Sequence, residues 1–334
     1  MPPTPHLIAA CLPTTTSIPK GAVHLVLNPT SGGGAGLRVR PELERVLAGV
    51  GREVLVHVTG GPGHAVELAA AAHAAGAGMV VAVGGDGTAH EVANGLLDAR
   101  QAGGAAGPAL ALVPVGTGND FAKVLPGAAP RARALRTVGH GTVRAFDAGR
   151  VHWNGRSEWF VNAMGTGIDG EVVRQLARSR NLPGGAVYLT ALVRALLGYR
   201  PIPVRLTAGD FRFEGRVMTL AAGNGRCVGG AFQLCPGARP DDGLLDVSII
   251  AEIGPWGIAR TLPGVLTGRL AGKPGYLAHR TRRLRLELLG PGPHHVQLDG
   301  ELREVAAPAT LEVEVVPGVL PVLTDVSTEG DDSH

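Results

Sequence analysis

The sequence predicts an α/β chain: an N-terminal doubly wound α/β domain followed by a β-rich second domain, a sandwich or barrel. Three observations carry this. Up to about Gly149, short apolar runs alternate with segments of helical spacing. Those runs are apolar throughout, as strands buried on both faces of a parallel sheet are. After Gly149 the hydrophobic period drops to two, the mark of half-buried antiparallel strands. A length of 334 residues suits two domains at about 150 residues each.

Val23–Asn28 is apolar and β-branched, a first strand. In Leu37–Ala48, Leu37, Leu43, Val46 and Leu47 share one helical face. Glu53–Val58 reads as a strand and Gly63–Ala75 as an alanine-rich helix. Met79–Val83 is a strand, Thr88–Leu97 a helix, and Ala109–Val115 and Val143–Asp147 are strands. In the second half, Leu284, Leu286 and Leu288 alternate with Arg285 and Glu287, and Leu311, Val313 and Val315 with Glu312 and Glu314. Trp159–Val161, Val204–Leu206, Arg216–Ala221 and Leu245–Ile250 add strands. Helices are expected near Glu171–Arg178 and Val187–Leu197. The expected domains are 21–149 and 150–317, with the tail 318–334 free to pack back on the first. A cleft between two domains is the default place for a site.

Composition excludes several classes. The net charge of +3 is mild, and basic residues are not interleaved with aromatic ones, so nucleic acid is not an expected partner. Three cysteines without C-x-x-C spacing argue against a disulfide framework or zinc site and favour a reduced, cytoplasmic setting. His294 and His295 are adjacent and point to opposite faces of a strand. Met1–Lys20 lacks the basic start of a signal peptide and reads as a disordered or trimmed leader. No run approaches the ~18 apolar residues needed to span a bilayer.

The 51 glycines gather in loops after apolar runs. Asn28-Pro29-Thr30-Ser31-Gly32, Gly84-Gly85-Asp86-Gly87-Thr88 and Gly116-Thr117-Gly118-Asn119-Asp120 each follow a strand. All three should open at the carboxyl edge of one sheet, where doubly wound folds bind ligands. Their backbone N–H groups suit phosphate, and helix N-termini favour negative charge. No Walker A sequence occurs. A literal G-x-G-x-x-G runs from Gly165 to Gly170, but no acidic residue stands about 20 positions on, so a dinucleotide fingerprint is disfavoured.

NPTSGGG, VGGDGTAHEVANGL, PVGTGNDFAK, FDAGRV, GTGIDGEV, PDDGLLD and QLDGE occur in one order across Val23 to Pro317. That order resembles the diacylglycerol kinase catalytic family, including the bacterial soluble lipid kinases and their sphingosine and ceramide kinase relatives. The GGDGT run alone is shared with NAD kinases. The resemblance implies transfer of the γ-phosphoryl of ATP to a lipid hydroxyl, most simply that of diacylglycerol, with Mg²⁺ as the ion. Sphingosine, ceramide, another lipid alcohol or NAD are alternative acceptors, and a non-catalytic lipid- or nucleotide-binding regulator is the alternative of another class. The resemblance places ATP on Asn28, Pro29, Thr30, Ser31, Gly32, Thr59, Gly84, Gly85, Asp86, Gly87, Thr88, Ala89, His90, Thr117 and Asn119. His90 stands where relatives commonly carry Asn.

Phosphoryl transfer needs placed phosphates, a cation and a proton acceptor. Asp86, Asp120 and Asp147 each follow a strand and are expected to converge on an ATP-linked Mg²⁺, although Asp86 and Asp120 also suit helix N-caps. Asp299-Gly300-Glu301 is either a hairpin turn or a site. The resemblance makes it the source of the base, with Asp299 and Glu301 both open for the role. It also implies a structural Mg²⁺ on the Asp242 carboxylate with backbone carbonyls near Arg239 and Leu244.

A lipid substrate implies a peripheral visit to a membrane surface; a homodimer is left open. Arg280, Arg282, Arg283 and Arg285, preceded by Trp256, Leu262, Val265, Leu266, Leu270 and Tyr276, form either a basic interfacial dock or a solvated strand face. Prolines and glycines are expected to interrupt any helix there.

Overall fold

The structure, a computed structural model, describes residues 17–103, 107–125, 131–168, 199–229 and 232–325. The helices expected at Glu171–Arg178 and Val187–Leu197, and most of the leader, lie outside the described residues.

The first half is a parallel sheet of four strands: β1 (Val23–Leu27), β2 (Val54–Val58), β3 (Met79–Gly84) and β4 (Ala109–Pro114). They lie in the order β2-β1-β3-β4, all parallel. The connecting helices are α1 (Ala35–Ala48), α2 (His64–Ala74) and α3 (Asp86–Gln101). Short α4 (Asp120–Val124) and α5 (Arg131–His140) follow β4. Residues of opposite parity in the strands feed opposite cores, because strand side chains alternate between faces. Val26, Val80 and Ala82 pack with α2 and α3, whereas Leu25, Leu27, Val81 and Val83 pack with α1 and α5. Burial on both faces is why β1, β3 and β4 read as apolar runs, whereas β2, at the sheet's edge, is partly exposed.

β5 (Thr142–Trp153) carries the chain across the expected boundary at 149 without a linker. β6 (Arg156–Phe160), β7 (Ala163–Gly167), β8 (Ile202–Ala208), β9 (Phe211–Gly223) and β10 (Leu245–Ala251) follow. Next come α6 (Pro255–Thr267), β11 (Tyr276–Thr281), β12 (Arg283–Leu288), β13 (His294–Leu298), β14 (Glu301–Val305) and β15 (Ala309–Thr324). All fifteen strands of the described residues are linked in one ladder. Its second half encloses a separate core built around Val204, Leu206, Leu220, Leu286, Leu298 and Leu311. β15 begins against β12 and ends against β5 and β4, so residues 318–324 add to the first domain's sheet.

One local expectation changes, and the dinucleotide fingerprint, already disfavoured, does not stand as a loop. Gly165 and Gly167 sit inside β7, buried between β9 and β13, so the G-x-G-x-x-G is in part a strand and not a phosphate loop. The stretch expected to be broken by proline is a helix. Pro255 occupies its first turn, where no intrahelical N–H is lost, and Gly268 closes it in the left-handed region. Pro263 is accommodated inside it.

Candidate active site

β1, β3 and β4 end side by side, so the three glycine-rich loops open on one edge of the sheet. The Asn28 Nδ2 donates to Thr88 Oγ1 (3.1 Å), and its Oδ1 accepts the N–H and hydroxyl of Thr30. One side chain thereby fixes the first loop against the first turns of α3. Around it lies a cleft of about 440 Å³ lined by Asn28–Ser31, Thr59–Pro62, Gly85, Gly87, Thr88, Glu91 and Glu301. Eight of the residues assigned to ATP by resemblance are there: Asn28, Pro29, Thr30, Ser31, Thr59, Gly85, Gly87 and Thr88. Gly84, Asp86, Ala89 and Asn119 line a smaller recess with Gly85. Thr117 is exposed, and Gly32 packs against the Val115 carbonyl.

Sequence reasoning missed Gly60, Gly61, Pro62 and Glu91. The Gly-Gly-Pro-Gly run after β2 was a legible signal, being a fourth glycine-rich loop on the same edge. Glu91 carried none. Its carboxylate accepts the N–H groups of Gly63 (2.9 Å) and Ala65 (3.2 Å), so it caps α2 from a neighbouring helix.

Asp86 does cap a helix, but not its own. Its Oδ1 accepts the Asp120 N–H at 2.6 Å and that of Phe121 at 3.4 Å, at the start of α4. A Cβ at Gly118 would stand 2.5 Å from Asp86 Oδ2, so only a glycine lets this carboxylate approach the third loop. Burial, then the charge of Asp120, push the Asp86 carboxyl up to about 6 against the pull of these N–H groups. Lys123 Nζ lies 3.1 Å from Asp120 Oδ1.

Asp147 is not with them. β5 runs antiparallel to β15, which is parallel to β4, so β5 heads toward the amino-terminal end of β4. Asp147 lies inside this strand, with its carboxylate accepting the N–H groups of Gly243 (2.6 Å) and Gly318 (2.8 Å). The expected three-carboxylate convergence is therefore a pair, Asp86 and Asp120. Among the described residues no three His, Cys, Asp or Glu side chains gather as a metal cluster.

His90 also departs from expectation. Its ring is buried and turned away from the cleft, with Nδ1 2.9 Å from Asp299 Oδ2 and Nε2 2.9 Å from Glu158 Oε1. Burial pulls its pKa down, but hydrogen bonds and charge from Asp299 and Glu158 outweigh this and hold it at about 9. With a carboxylate oxygen 2.9 Å from each ring nitrogen, the arrangement suits an imidazolium donating to both. Arg303 clasps Glu158 from the other side at 2.9 Å.

Asp299 and Gly300 are the two central residues of the β13–β14 hairpin, both at positive φ (51° and 88°), as a type I′ turn requires. Of the two alternatives for this segment, the backbone shows the hairpin turn. The Asp299 carboxylate is fully engaged: Oδ1 accepts Asn162 (2.8 Å) and Ala163 (3.0 Å) N–H groups, and Oδ2 accepts Val161 N–H (2.9 Å) and His90. Glu301, two residues on, enters the cleft instead. A Cβ at Gly87 would lie 2.5 Å from its Oε1. Of the two acidic residues left open by the sequence, Glu301 has the carboxylate facing the phosphate loops.

Residues 22–151 match the diacylglycerol kinase catalytic domain, and residues 162–324 the YegS C-terminal NAD kinase beta sandwich-like domain. This chain belongs to the diacylglycerol kinase catalytic family. A relative from Stenotrophomonas maltophilia (strain K279a), described as "Probable lipid kinase YegS-like", is 35% identical over 295 residues, 88% of this chain and 93% of the relative. One from Pseudomonas aeruginosa with the same description is 36% identical over 308 residues, covering 90% and 96%. The fold is shared with a diacylglycerol kinase structure from Bacillus anthracis str. Sterne at 21% identity and a TM-score of 0.66, covering 91% and 97%.

The structural Mg²⁺ that the diacylglycerol kinase family resemblance implied does not fit the turn before β10. Asp242 Oδ1 accepts the Leu244 N–H (3.0 Å), while Oδ2 pairs with the Arg280 guanidinium, which also holds Asp246 at 3.2 Å. Arg239 pairs with Asp241 (3.6 Å). The cation against Asp242 is an arginine of the chain itself. In nucleotide-free Asp86→Asn protein, where the other candidate carboxylate pair is removed, melting is therefore expected to be insensitive to Mg²⁺, whereas adding Arg280→Ala should lower the midpoint and let Mg²⁺ restore it. A Mg²⁺-dependent rise in the Asp86→Asn midpoint would restore the metal on Asp242.

Proposed function

We propose that this protein is an ATP-dependent lipid kinase, transferring the γ-phosphoryl of ATP to the free hydroxyl of diacylglycerol to give phosphatidic acid. The observation that carries this reading is Glu301. A second-domain hairpin delivers its carboxylate beside Gly87, into a cleft walled by phosphate-type loops of the first domain.

ATP would lie on Asn28–Ser31, Gly85, Gly87 and Thr88, where loop N–H groups and the start of α3 favour phosphate. Glu301 would accept the proton of the acceptor hydroxyl. The hydroxyl oxygen forms its bond to the γ-phosphorus as the bond to the β–γ bridging oxygen breaks and ADP leaves. Asp299 and His90 hold the hairpin that carries Glu301. Asp86 and Asp120 would hold a magnesium ion, which would take the place of the half-exposed Lys123 ammonium against Asp120, because two neighbouring carboxylates, one of them buried, form a charge pair that a cation relieves. Such an ion supplies neutralisation of phosphate charge, and with two carboxylates available it would keep water and phosphate oxygens as its other ligands.

The test is labelled ATP against diacylglycerol, sphingosine, ceramide and NAD in mixed micelles, with products weighed by mass spectrometry. Phosphatidic acid should dominate, and Glu301→Gln should lower its turnover by about a hundred- to ten-thousandfold with little change in melting. Phosphorylated NAD, or no product from any alcohol, would overturn the reading. Full activity of Glu301→Gln would remove its base.

A further inference from the structure

The arginine cluster legible in the sequence is largely neutralised in the fold. Arg280 pairs with Asp242 and Asp246, Arg283 with Glu314 at 3.1 Å, and Arg285 with Glu287 at 3.2 Å and Glu312. β12 is thus a laced strand face, as register with β15 dictates: Arg283 opposes Glu314 and Arg285 opposes Glu312.

A different surface has the opposite character. α6 buries Thr261, Gly264 and Val265 on one side. Trp256, Arg260, Pro263 and Leu266 recur at three- and four-residue spacing on the other, and are exposed. Trp256 is 85% exposed, the largest value for a large hydrophobic residue among the described residues. Arg260 stands one turn on from it and Arg269 just past the helix's carboxyl end; both are exposed and neither is ion-paired among the described residues. Glu252, just before the helix, is held by Arg216 at 3.0 Å. A cavity of about 450 Å³, walled by Val247, Leu270, Tyr276 and Ala278, opens at the helix's carboxyl end. No helix among the described residues is long and apolar enough to cross a membrane.

We propose that α6 docks flat on an anionic lipid bilayer, with Trp256 and Leu266 at the boundary of headgroups and acyl chains and Arg260 and Arg269 on the headgroups. A tryptophan with an exposed ring is costly in water but at home at a membrane interface. Unpaired cations around it select anionic headgroups and make binding sensitive to salt. The role of this surface rests on the lipid-kinase reading, since it would bring a soluble catalyst to an acceptor that never leaves the bilayer.

The experiment reads binding, not catalysis. Full-length protein is sedimented with phosphatidylcholine vesicles and with vesicles also containing phosphatidylglycerol, at low and high salt. Trp256 fluorescence is followed in parallel, Trp153 and Trp159 being buried. Binding should require phosphatidylglycerol, fall steeply in high salt, and shift Trp256 emission to the blue. Arg260→Glu/Arg269→Glu should weaken it by about a hundredfold or more, counting each cation lost at roughly fivefold and the added repulsion besides. Trp256→Ala should abolish the spectral shift and weaken binding, and Arg283→Ala should change neither. Both helix variants alter exposed side chains, and unchanged melting confirms that they fold. Equal binding to both vesicle types, or wild-type binding by Arg260→Glu/Arg269→Glu, overturns the proposal. Self-association through this face, lost in Trp256→Ala without vesicle binding, also overturns it. Anionic-vesicle binding by a protein that phosphorylates no lipid would leave the dock standing and sink the kinase reading; the reverse pattern would do the opposite.

Discussion

Asp86→Asn is expected to lose turnover by about a hundred- to a thousandfold while raising the melting point of the nucleotide-free protein. The two effects have one cause. The Asp86 carboxyl is raised from an ordinary 3.8 to about 6, first by burial and then by Asp120. A carboxyl with a raised folded pKa favours folding fully at pH below its unfolded value, and that contribution is lost as pH rises through about 6. At neutral pH the ionised group therefore costs about 3 kcal/mol, the free energy of some two pKa units. Asn keeps an oxygen for the N–H of Asp120 and removes the charge. Thermal scans from pH 4 to pH 7.5 without Mg²⁺ should show wild-type stability falling relative to the variant through that window. A variant that melts lower than wild type at pH 7.5, or that turns over normally, would separate Asp86 from both roles.

The parallel half of the fold was legible because its physics is local. Val23–Leu27 and Met79–Val83 are apolar at every position since both sheet faces are covered, and glycine-rich loops follow such strands at the ligand-binding edge. Three features escaped for identifiable reasons. α6 carries Pro255, Gly257, Pro263 and Gly264, which read as breakers, yet Pro255 stands where a helix tolerates proline. β7 carries glycines at a dinucleotide-like spacing, a reading the missing acidic residue already disfavoured, and that spacing hid a strand; buried between two strands, the glycines are small for packing, not for phosphate. The His90 contacts span 68 residues to Glu158 and 209 to Asp299, and no periodicity reports a pair at that separation. Contacts at such distances in sequence also distinguish the two candidates for the base. Asp299 and Glu301 are equivalent as letters, and only the fold shows that the first is consumed by backbone N–H groups. Asp147 was misplaced because the end of an apolar run was taken as the end of a strand, whereas β5 continues for six residues beyond it, to Trp153.

Asp299→Ala is the substitution with the largest expected cost to stability. It leaves the N–H groups of Val161, Asn162 and Ala163 unpaired and strips His90 of one of its two carboxylates inside the core. Breaking a buried, hydrogen-bonded ion pair from one side costs about 3–5 kcal/mol, enough to lower the melting point by many degrees. Turnover should fall as well, since Glu301 hangs from the same hairpin, while ATP affinity should change little because Asn28 and Thr88 do not depend on it. His90→Asn isolates the charge. The imidazolium faces Asp299 and Glu158, with Arg303 behind Glu158, and its pKa is held at about 9 against an ordinary 6.5. Its stabilisation is therefore complete below pH 6.5 and disappears as pH rises through about 9. Wild-type protein should lose stability across that interval, by about 3 kcal/mol for a shift of this size, and His90→Asn should not. Parallel pH dependence in the two proteins would mean that His90 is neutral and the clamp is held by hydrogen bonds alone. Restored turnover in Asp299→Asn, with melting intact, would show that the carboxylate serves geometry and not charge.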